Sequence, residues 1–129
     1  MRQINKVIVH CSDSEHLSHD NYESIYKWHV EERGWKDVGY HYLILKNGTV
    51  RKCRPVHISG AHCYGKNYTS IGICLTGKYE FSDDQFISLQ KLITELKWLF
   101  GNISIHGHRE FSKKKTCPNF EVKDILKDV

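Results

Sequence analysis

Two short apolar runs constrain the fold of this chain more than any other feature. Residues 4–10 are rich in β-branched side chains, and residues 71–76 form a second run of the same kind. Apolar runs of this length, bounded by polar segments, are typical of buried strands. Because a buried strand is covered on both faces, these runs predict a central sheet flanked by helices.

Two further segments have helical spacing and recognisable start signals. Asp20 followed by Glu23 resembles a capping box, and Ser82 followed by Gln85 is a second one. The second box opens the clearest helix, which we expect to end at Gly101. Its apolar stripe consists of Phe86, Leu89, Ile93, Leu96 and Phe100.

Turn and strand signals complete the predicted fold. Asn47-Gly48, with strand-like residues on either side, predicts a β-hairpin closed by a two-residue turn. Residues 103–105 indicate a short last strand, and a short terminal helix is expected after Phe120. Strands interleaved with helices predict an α/β fold, in which residues 1–129 form a single domain around a central mixed, mostly five- to six-stranded β-sheet.

A long segment between the predicted strands has no periodicity. Residues 55–69 are rich in Gly, His and Tyr and indicate an irregular loop. Long irregular loops in compact domains tend to carry function. We therefore expect this loop to belong to a functional site.

The composition excludes some classes of protein and leaves others open. No apolar run reaches membrane-spanning length, so membrane insertion is not expected. The first residues lack the pattern of a signal peptide, which predicts synthesis in the cytoplasm and an unknown export or release route to any target outside it. The formal charge of +4 is mild and fits either nucleic acid or an anionic polymer such as cell wall.

The cysteines do not form a recognisable framework. There are five, an odd number, without CxxC spacing, which argues against a disulfide scaffold or a four-cysteine zinc site. Cys11 and Cys74 lie in apolar runs and are expected to be small buried residues. Pairing of Cys53 with Cys63 is left open by the sequence. Cys117 differs, because it follows lysines in a polar segment close to two histidines.

Metal-ligand residues are concentrated near the C-terminus. His106, His108 and Cys117 lie in one short segment, and His10 ends the first apolar run. Two ligands from the late segment and His10 would make a three-ligand zinc site with an open position, which is typical of catalytic zinc. Since alternate residues of an extended segment face opposite ways, only one of His106 and His108 is expected to point to the site.

Two other residues have suitable chemistry for amide hydrolysis, which needs proton handling and stabilisation of an oxyanion. Lys115 lies two positions before Cys117 and could act on the oxyanion, although it also belongs to a run of three lysines. Tyr40 could hydrogen-bond the attacking water, although an ordinary sheet aromatic would have the same sequence context.

An ordered set of motifs then resembles a known family. The motifs are Val9-His10-Cys11-Ser12, Trp35-Lys36-Asp37-Val38-Gly39-Tyr40-His41, Asn47-Gly48-Thr49-Val50, Ser70-Ile71-Gly72-Ile73, and the segment from His108 to Lys115-Thr116-Cys117-Pro118. Together they resemble the zinc-dependent N-acetylmuramoyl-L-alanine amidases of type 2, especially the small bacteriophage amidases traditionally called lysozymes. Peptidoglycan recognition proteins are more distant relatives, and the likeness runs from about residue 4 to residue 120.

The resemblance implies an amidase fold and a set of site residues. One zinc ion per chain would be held by His10, His108 and Cys117. Tyr40 and Lys115 would form the catalytic pair. His62 would bind substrate, and the loop at residues 55–69 would form one wall of the groove.

The resemblance also implies the reaction and the partner. The chain would cleave the amide between N-acetylmuramic acid and L-alanine, bind peptidoglycan or muropeptides, act as a monomer and have no nucleic-acid partner. The alternatives are a non-catalytic peptidoglycan-binding module, a cysteine hydrolase using Cys11 or Cys63, and a purely structural zinc site.

Two departures from the family pattern leave details open. The segment between His108 and Cys117 is one residue longer than in the short phage enzymes, so Lys114 is an alternative to Lys115. Cys74 stands where some longer amidases have an acidic base, which leaves Tyr40 or a zinc-bound hydroxide as proton acceptor.

Overall fold

Five strands form one mixed sheet in the computed structural model, which describes residues 2–127 and residue 129. The strands are β1 (Lys6–Cys11), β2 (Tyr42–Ile44), β3 (Val50–Lys52), β4 (Ser70–Leu75) and β5 (Ser104–Gly107). Their spatial order is β3-β2-β4-β1-β5, in which β2 and β3 are antiparallel and the other neighbours are parallel. The predicted α/β fold with a mixed sheet is confirmed.

Helices of very different length connect and cover the strands. They are α1 (Tyr22–Tyr26), which continues directly into a π-helical segment (Lys27–Glu32), α2 (Asp83–Phe100) and α3 (Val122–Ile125). Short 3-10 turns occupy Leu17–His19, Asn67–Thr69 and His108–Glu110. Among the residues described, no helix combines the length and the apolar character needed to cross a membrane.

The sheet is buried on both faces. Leu89, Ile93 and Leu96 of α2 are at most 1% exposed and lie in the larger core cluster. The opposite face has a smaller cluster in which Ile25 of α1 packs with Leu43 of β2. This double covering is the physical reason why β1 and β4 are almost uninterrupted apolar runs.

The start of α2 agrees with the sequence prediction. The Ser82 hydroxyl accepts a hydrogen bond from the Gln85 N–H at 3.0 Å, and the Gln85 side-chain oxygen accepts one from the Ser82 N–H at 3.0 Å. Gln85 is fully buried, and its amide also donates to the carbonyls of Ile44 and Thr76. The capping box therefore also ties the helix to the ends of two strands.

The predicted capping box at the start of α1 is wrong. The N-cap is Asn21, whose side-chain oxygen accepts from the Ser24 N–H at 2.8 Å. The Asp20 carboxylate accepts instead from the Lys46 N–H and from the Thr76 hydroxyl. The Asp20 side chain therefore makes tertiary contacts, although its local spacing predicted a role in capping the helix.

The hairpin is confirmed, but its turn has three residues, not two. The Leu45 N–H donates to the Thr49 carbonyl at 2.9 Å, which leaves residues 46–48 as the loop. Gly48 adopts a φ of 87°, and a glycine in the left-handed region at the third position is typical of three-residue hairpins. Gly48 therefore occupies the last position of the three-residue loop, where the backbone is left-handed.

Parallel pairing determines where the functional residues meet. β1 pairs with β5 on one side and with β4 on the other, so the carboxyl ends of all three lie at one edge of the sheet. His10 lies near the end of β1, and His108 comes directly after β5. This edge is where ligand sites of such sheets usually form.

Candidate metal centre and active site

Three side chains converge at the carboxyl edge of the sheet. His10, His108 and Cys117 each offer one ligand atom, and these atoms lie within 4.8 Å of one another. The rings of His10 and His108 are 4.5 Å apart. One ligand comes from a buried strand and two from the segment after β5, as the sequence pattern suggests.

The chemistry of these donors fits a zinc ion. Burial lowers the pKa of His10 well below its ordinary value, and burial followed by the Lys115 charge lowers the pKa of His108. Both imidazoles are therefore neutral near pH 7 and can present a lone pair. Two imidazoles with a thiolate are ligands that zinc prefers.

The third candidate ligand, Cys117, has a neighbouring hydrogen-bond donor. The Cys11 N–H donates to the Cys117 sulfur at 3.0 Å, a contact that favours a thiolate. The Cys11 thiol and burial nevertheless raise the pKa of Cys117. A cation at the site would offset this rise, because coordination stabilises the deprotonated sulfur.

His106 lies apart from this cluster. Its Nδ1 is 3.0 Å from a Glu110 carboxylate oxygen, and its Nε2 is 2.7 Å from the Ser104 hydroxyl. Its contacts are thus with the β5 segment, whereas His108 joins His10 and Cys117. Of the two histidines left open by alternation, the fold brings His108 to the cluster.

The cluster opens into a cleft of about 430 Å³. Its lining includes His10, Ser12, Ile25, Trp28, His29, Arg33, Trp35, Tyr40, Ala61, His62, Cys63, Tyr64, Asn67, His108, Lys115 and Cys117. All six residues that the sequence singled out therefore share one cavity. A cleft with converging polar groups is the usual form of an active site.

Tyr40 and Lys115 lie in the cleft with different electrostatic properties. The Tyr40 ring is 5.1 Å from the His10 ring, and burial raises the pKa of the Tyr40 hydroxyl well above its ordinary value. The hydroxyl therefore stays protonated at neutral pH. Lys115 is an exposed cation at the cleft, whereas Lys114 is not among the lining residues.

His62 lines the cleft, but it is only 9% exposed and both of its ring nitrogens have partners. Its Nδ1 is 2.8 Å from His10 Nε2, and its Nε2 is 3.2 Å from the Ser70 hydroxyl. The sequence did not reveal this contact with a metal-ligand candidate. The Ser70-Ile71-Gly72 motif contains the Ser70 partner of His62, and it was the sequence feature that could have indicated this contact.

Two other groups were missed by sequence reasoning. His29 lies in the cleft wall, where its Nδ1 accepts from the Gly39 N–H at 2.9 Å, and burial lowers its pKa to about 4.

Arg2 was also missed. Its guanidinium group is 8% exposed and donates to the carbonyls of Val56, Asn67, Tyr68 and Ser70. It therefore holds the predicted loop, which is irregular apart from Asn67–Thr69, against the sheet. Nothing near Arg2 in the sequence indicates this role.

The structure favours neither a Cys53–Cys63 disulfide nor Cys63 as a nucleophile. All five cysteines are free thiols in the structure, so Cys53 and Cys63 are not joined. Burial raises the pKa of Cys63, which disfavours the thiolate that a cysteine nucleophile needs.

Comparison with known proteins gives consistent matches. The family described as N-acetylmuramoyl-L-alanine amidase matches residues 1–120. The endolysin of Escherichia phage T7 is 35% identical over 125 residues, which are 91% of this chain and 82% of the relative. The endolysin of Klebsiella phage KP32 is 33% identical over 130 residues, covering 95% and 85%.

A solved structure matches in the same way. The endolysin N-acetylmuramoyl-L-alanine amidase LysCS from Clostridium intestinale superposes with a TM-score of 0.86 at 26% identity. The match covers 96% of this chain and 82% of that one. The similarity therefore extends over nearly the whole fold.

Proposed function

This chain belongs to the N-acetylmuramoyl-L-alanine amidase family and is a peptidoglycan amidase; from this premise we propose that it depends on zinc. The specific reaction is hydrolysis of the amide between N-acetylmuramic acid and L-alanine. The observation that carries the proposal is the convergence of His10, His108 and Cys117 in a cleft shared with Tyr40 and Lys115.

His10, His108 and Cys117 would hold the zinc ion, one per chain. Zinc bound there would supply Lewis-acid chemistry and a water nucleophile at neutral pH. Three protein ligands leave a coordination position free, which distinguishes a catalytic site from a closed structural one.

Lys115 would stabilise the negative charge that develops on the carbonyl oxygen when the amide is attacked. Lys115 lines the cleft, and its positive charge lowers the pKa of His108. A preorganised cation at such a position acts where charge appears in the transition state. The same location in the cleft favours Lys115 over Lys114.

Tyr40 would act as a hydrogen-bond donor. A hydroxyl whose pKa is raised well above its ordinary value does not serve readily as a base at neutral pH. It can donate to the substrate carbonyl or orient the attacking water through its oxygen. Of the two roles that the sequence left open, the environment favours hydrogen bonding over proton abstraction.

The walls of the cleft suit a muropeptide, which carries sugar rings and stem-peptide carboxylates. Trp28 and Trp35 offer aromatic surface, and Arg33 adds a cation to the lining. His62 and the loop at residues 55–69 would contact substrate from the other side. We propose that the chain acts on the cell wall as a monomer, after synthesis in the cytoplasm.

The test is hydrolysis of a defined muropeptide by metal-free and zinc-loaded protein. We expect new L-alanine amino termini, no new reducing sugar ends, loss of activity with a chelator and recovery with zinc. Reducing ends would indicate a glycosidase and refute the proposal.

Two further results separate the alternatives. Intact muropeptide after long exposure to zinc-loaded protein would indicate a binding module. Insensitivity to chelator combined with inactivation by thiol alkylation would indicate a cysteine hydrolase. A Cys117→Ser variant that stays folded but inactive would exclude a purely structural site.

A further inference from the structure

A chain of hydrogen bonds leads from His10 through His62 and Ser70 to the backbone of Lys66. His10 Nε2 is 2.8 Å from His62 Nδ1, and His62 Nε2 is 3.2 Å from the Ser70 hydroxyl. The Ser70 hydroxyl is in turn 2.7 Å from the Lys66 carbonyl oxygen. Four residues from two strands and one loop are thereby connected in series.

The last acceptor in this chain is the Lys66 carbonyl, and it determines the direction of every hydrogen bond before it. A carbonyl oxygen only accepts, so the single hydroxyl proton of Ser70 is donated to Lys66. The Ser70 oxygen then accepts from His62, which requires a proton on His62 Nε2. No ion pair in the described part of the chain includes His62, and a buried cation without one is unfavourable.

A neutral His62 with its proton on Nε2 has a lone pair on Nδ1. That nitrogen must accept from His10, so the proton of His10 lies on Nε2. The remaining nitrogen of His10, Nδ1, then has the lone pair available for a metal ion. The carbonyl of Lys66 thus determines the tautomer of His10 through two intervening side chains.

The strand is shaped to hold the His62 ring in this position. A Cβ atom on Gly72 would lie 2.6 Å from two ring carbons of His62, and one on Gly60 would lie 2.7 Å from the same ring. Real Cβ atoms do not approach other atoms this closely. Both positions therefore need glycine. In β4, Ser70 contacts the His62 ring by a hydrogen bond, and Gly72, two positions later, leaves room for the same ring.

We propose that His62, oriented by Ser70 and seated against Gly72 and Gly60, is a positioning residue for His10. It fixes the tautomer and the ring orientation of His10, so that Nδ1 is presented to zinc. The inference rests on the proposed zinc site. It adds to the predicted contact of His62 with substrate a function that does not involve substrate.

The test is the zinc affinity of four proteins measured by competition with a chelator of known affinity. The His62→Phe variant keeps an aromatic ring between the glycines but has no nitrogen, and we expect its zinc affinity to fall roughly tenfold to hundredfold. His62→Gln can accept from His10 and donate to Ser70, so it should recover most of the loss. His57→Gln removes an exposed histidine and should bind zinc like the wild type.

A second measurement does not involve metal. Nitrogen-15 NMR of the metal-free protein should find the proton of His10 on Nε2 in the wild type and in His62→Gln. In His62→Phe the two tautomers should be mixed.

Gly72→Ala offers an independent perturbation, because it displaces the His62 ring without removing it, and it should also weaken zinc binding.

The outcomes distinguish this inference from the proposed function. Equal zinc affinity in the wild type and His62→Phe, or a His10 proton on Nδ1, would overturn the positioning role and leave the zinc site intact. Failure of the wild type to bind zinc through Cys117, shown by an unchanged affinity in Cys117→Ser, would overturn the zinc site and this inference together.

Discussion

Acid should destabilise the fold through His41, a buried histidine that is not one of the three candidate zinc ligands. Its side chain is 1% exposed, its Nδ1 accepts from the Gly72 N–H at 3.0 Å, and its Nε2 donates to the Ile58 carbonyl at 2.8 Å. A second proton would occupy the nitrogen that accepts from Gly72. It would also create a cation 3.1 Å from the Arg2 guanidinium nitrogen.

The magnitude follows from the pKa. Burial lowers the pKa of His41 to about 4, with an opposing contribution from the Ile58 carbonyl and a further lowering by Arg2. Because the folded pKa lies below the unfolded value of 6.5, the stabilisation is complete above pH 6.5 and is lost as the pH falls towards 4. Linkage gives a loss of about 2 kcal/mol between pH 7 and pH 5 from this one residue.

The assay is urea unfolding at pH 7 and pH 5 in the presence of a chelator, with wild type and His41→Gln compared. The free energy of unfolding of the wild type should fall more steeply than that of the variant, by about 2 kcal/mol over this interval. Other histidines, including His29, titrate in both proteins and cancel in the difference. Equal pH dependence in wild type and His41→Gln would refute the reasoning.

Four further predictions concern the cleft and the core. Lys115→Ala should lower the hydrolysis rate of a defined muropeptide by roughly a hundredfold or more, whereas Lys114→Ala should leave it nearly unchanged; the reverse order would exchange their roles. Tyr40→Phe should lose activity while zinc binding, measured by metal content, is retained; full activity would remove the hydroxyl from the mechanism. Arg2→Met should lower the free energy of unfolding by about 3 kcal/mol, because buried carbonyls lose their donor, and hydrogen exchange should increase in the loop at residues 55–69. Leu89→Ala should cost about 3 kcal/mol in the same unfolding assay without changing zinc affinity, because its cavity would lie in a core cluster that includes none of the candidate ligands.

Two buried histidines attach the loop at residues 55–69 to the sheet. His41 and His62 each bridge a strand and the loop at residues 55–69, one through Ile58 and the other through Ser70 and Lys66. Neutral histidine both donates and accepts, so it can join two backbone segments without a charge. The loop that forms the cleft wall is thereby attached to the sheet at several points.

Local chemistry was predictable where the partners are close in sequence. The capping box of α2 joins residues three positions apart, so its residues suffice to identify it. The apolar runs identified β1 and β4 for a similar reason, because burial on both faces is written in each strand's own composition. The candidate ligand types were also recognisable from the sequence, and the ordered motifs identified the family.

Prediction failed or stayed open where a distant partner competes for a side chain. Asp20 has the spacing of a cap, but Lys46 and Thr76 take its carboxylate, and neither is near it in sequence. His106 and His108 differ by two positions in one segment. The path of the chain through the end of β5 places His106 next to Glu110 and His108 next to His10.

The sequence by itself determined the strand and helix segments, the ligand types and the family, because these depend on residue identity and short-range spacing. The tertiary structure decided which nitrogen of His10 is free, how His62 is held and why Gly72 is needed. Those properties depend on contacts among β1, β4 and the loop between β3 and β4, whose paired residues are as many as 64 positions apart. Parallel pairing brings them together, and no local pattern encodes that approach.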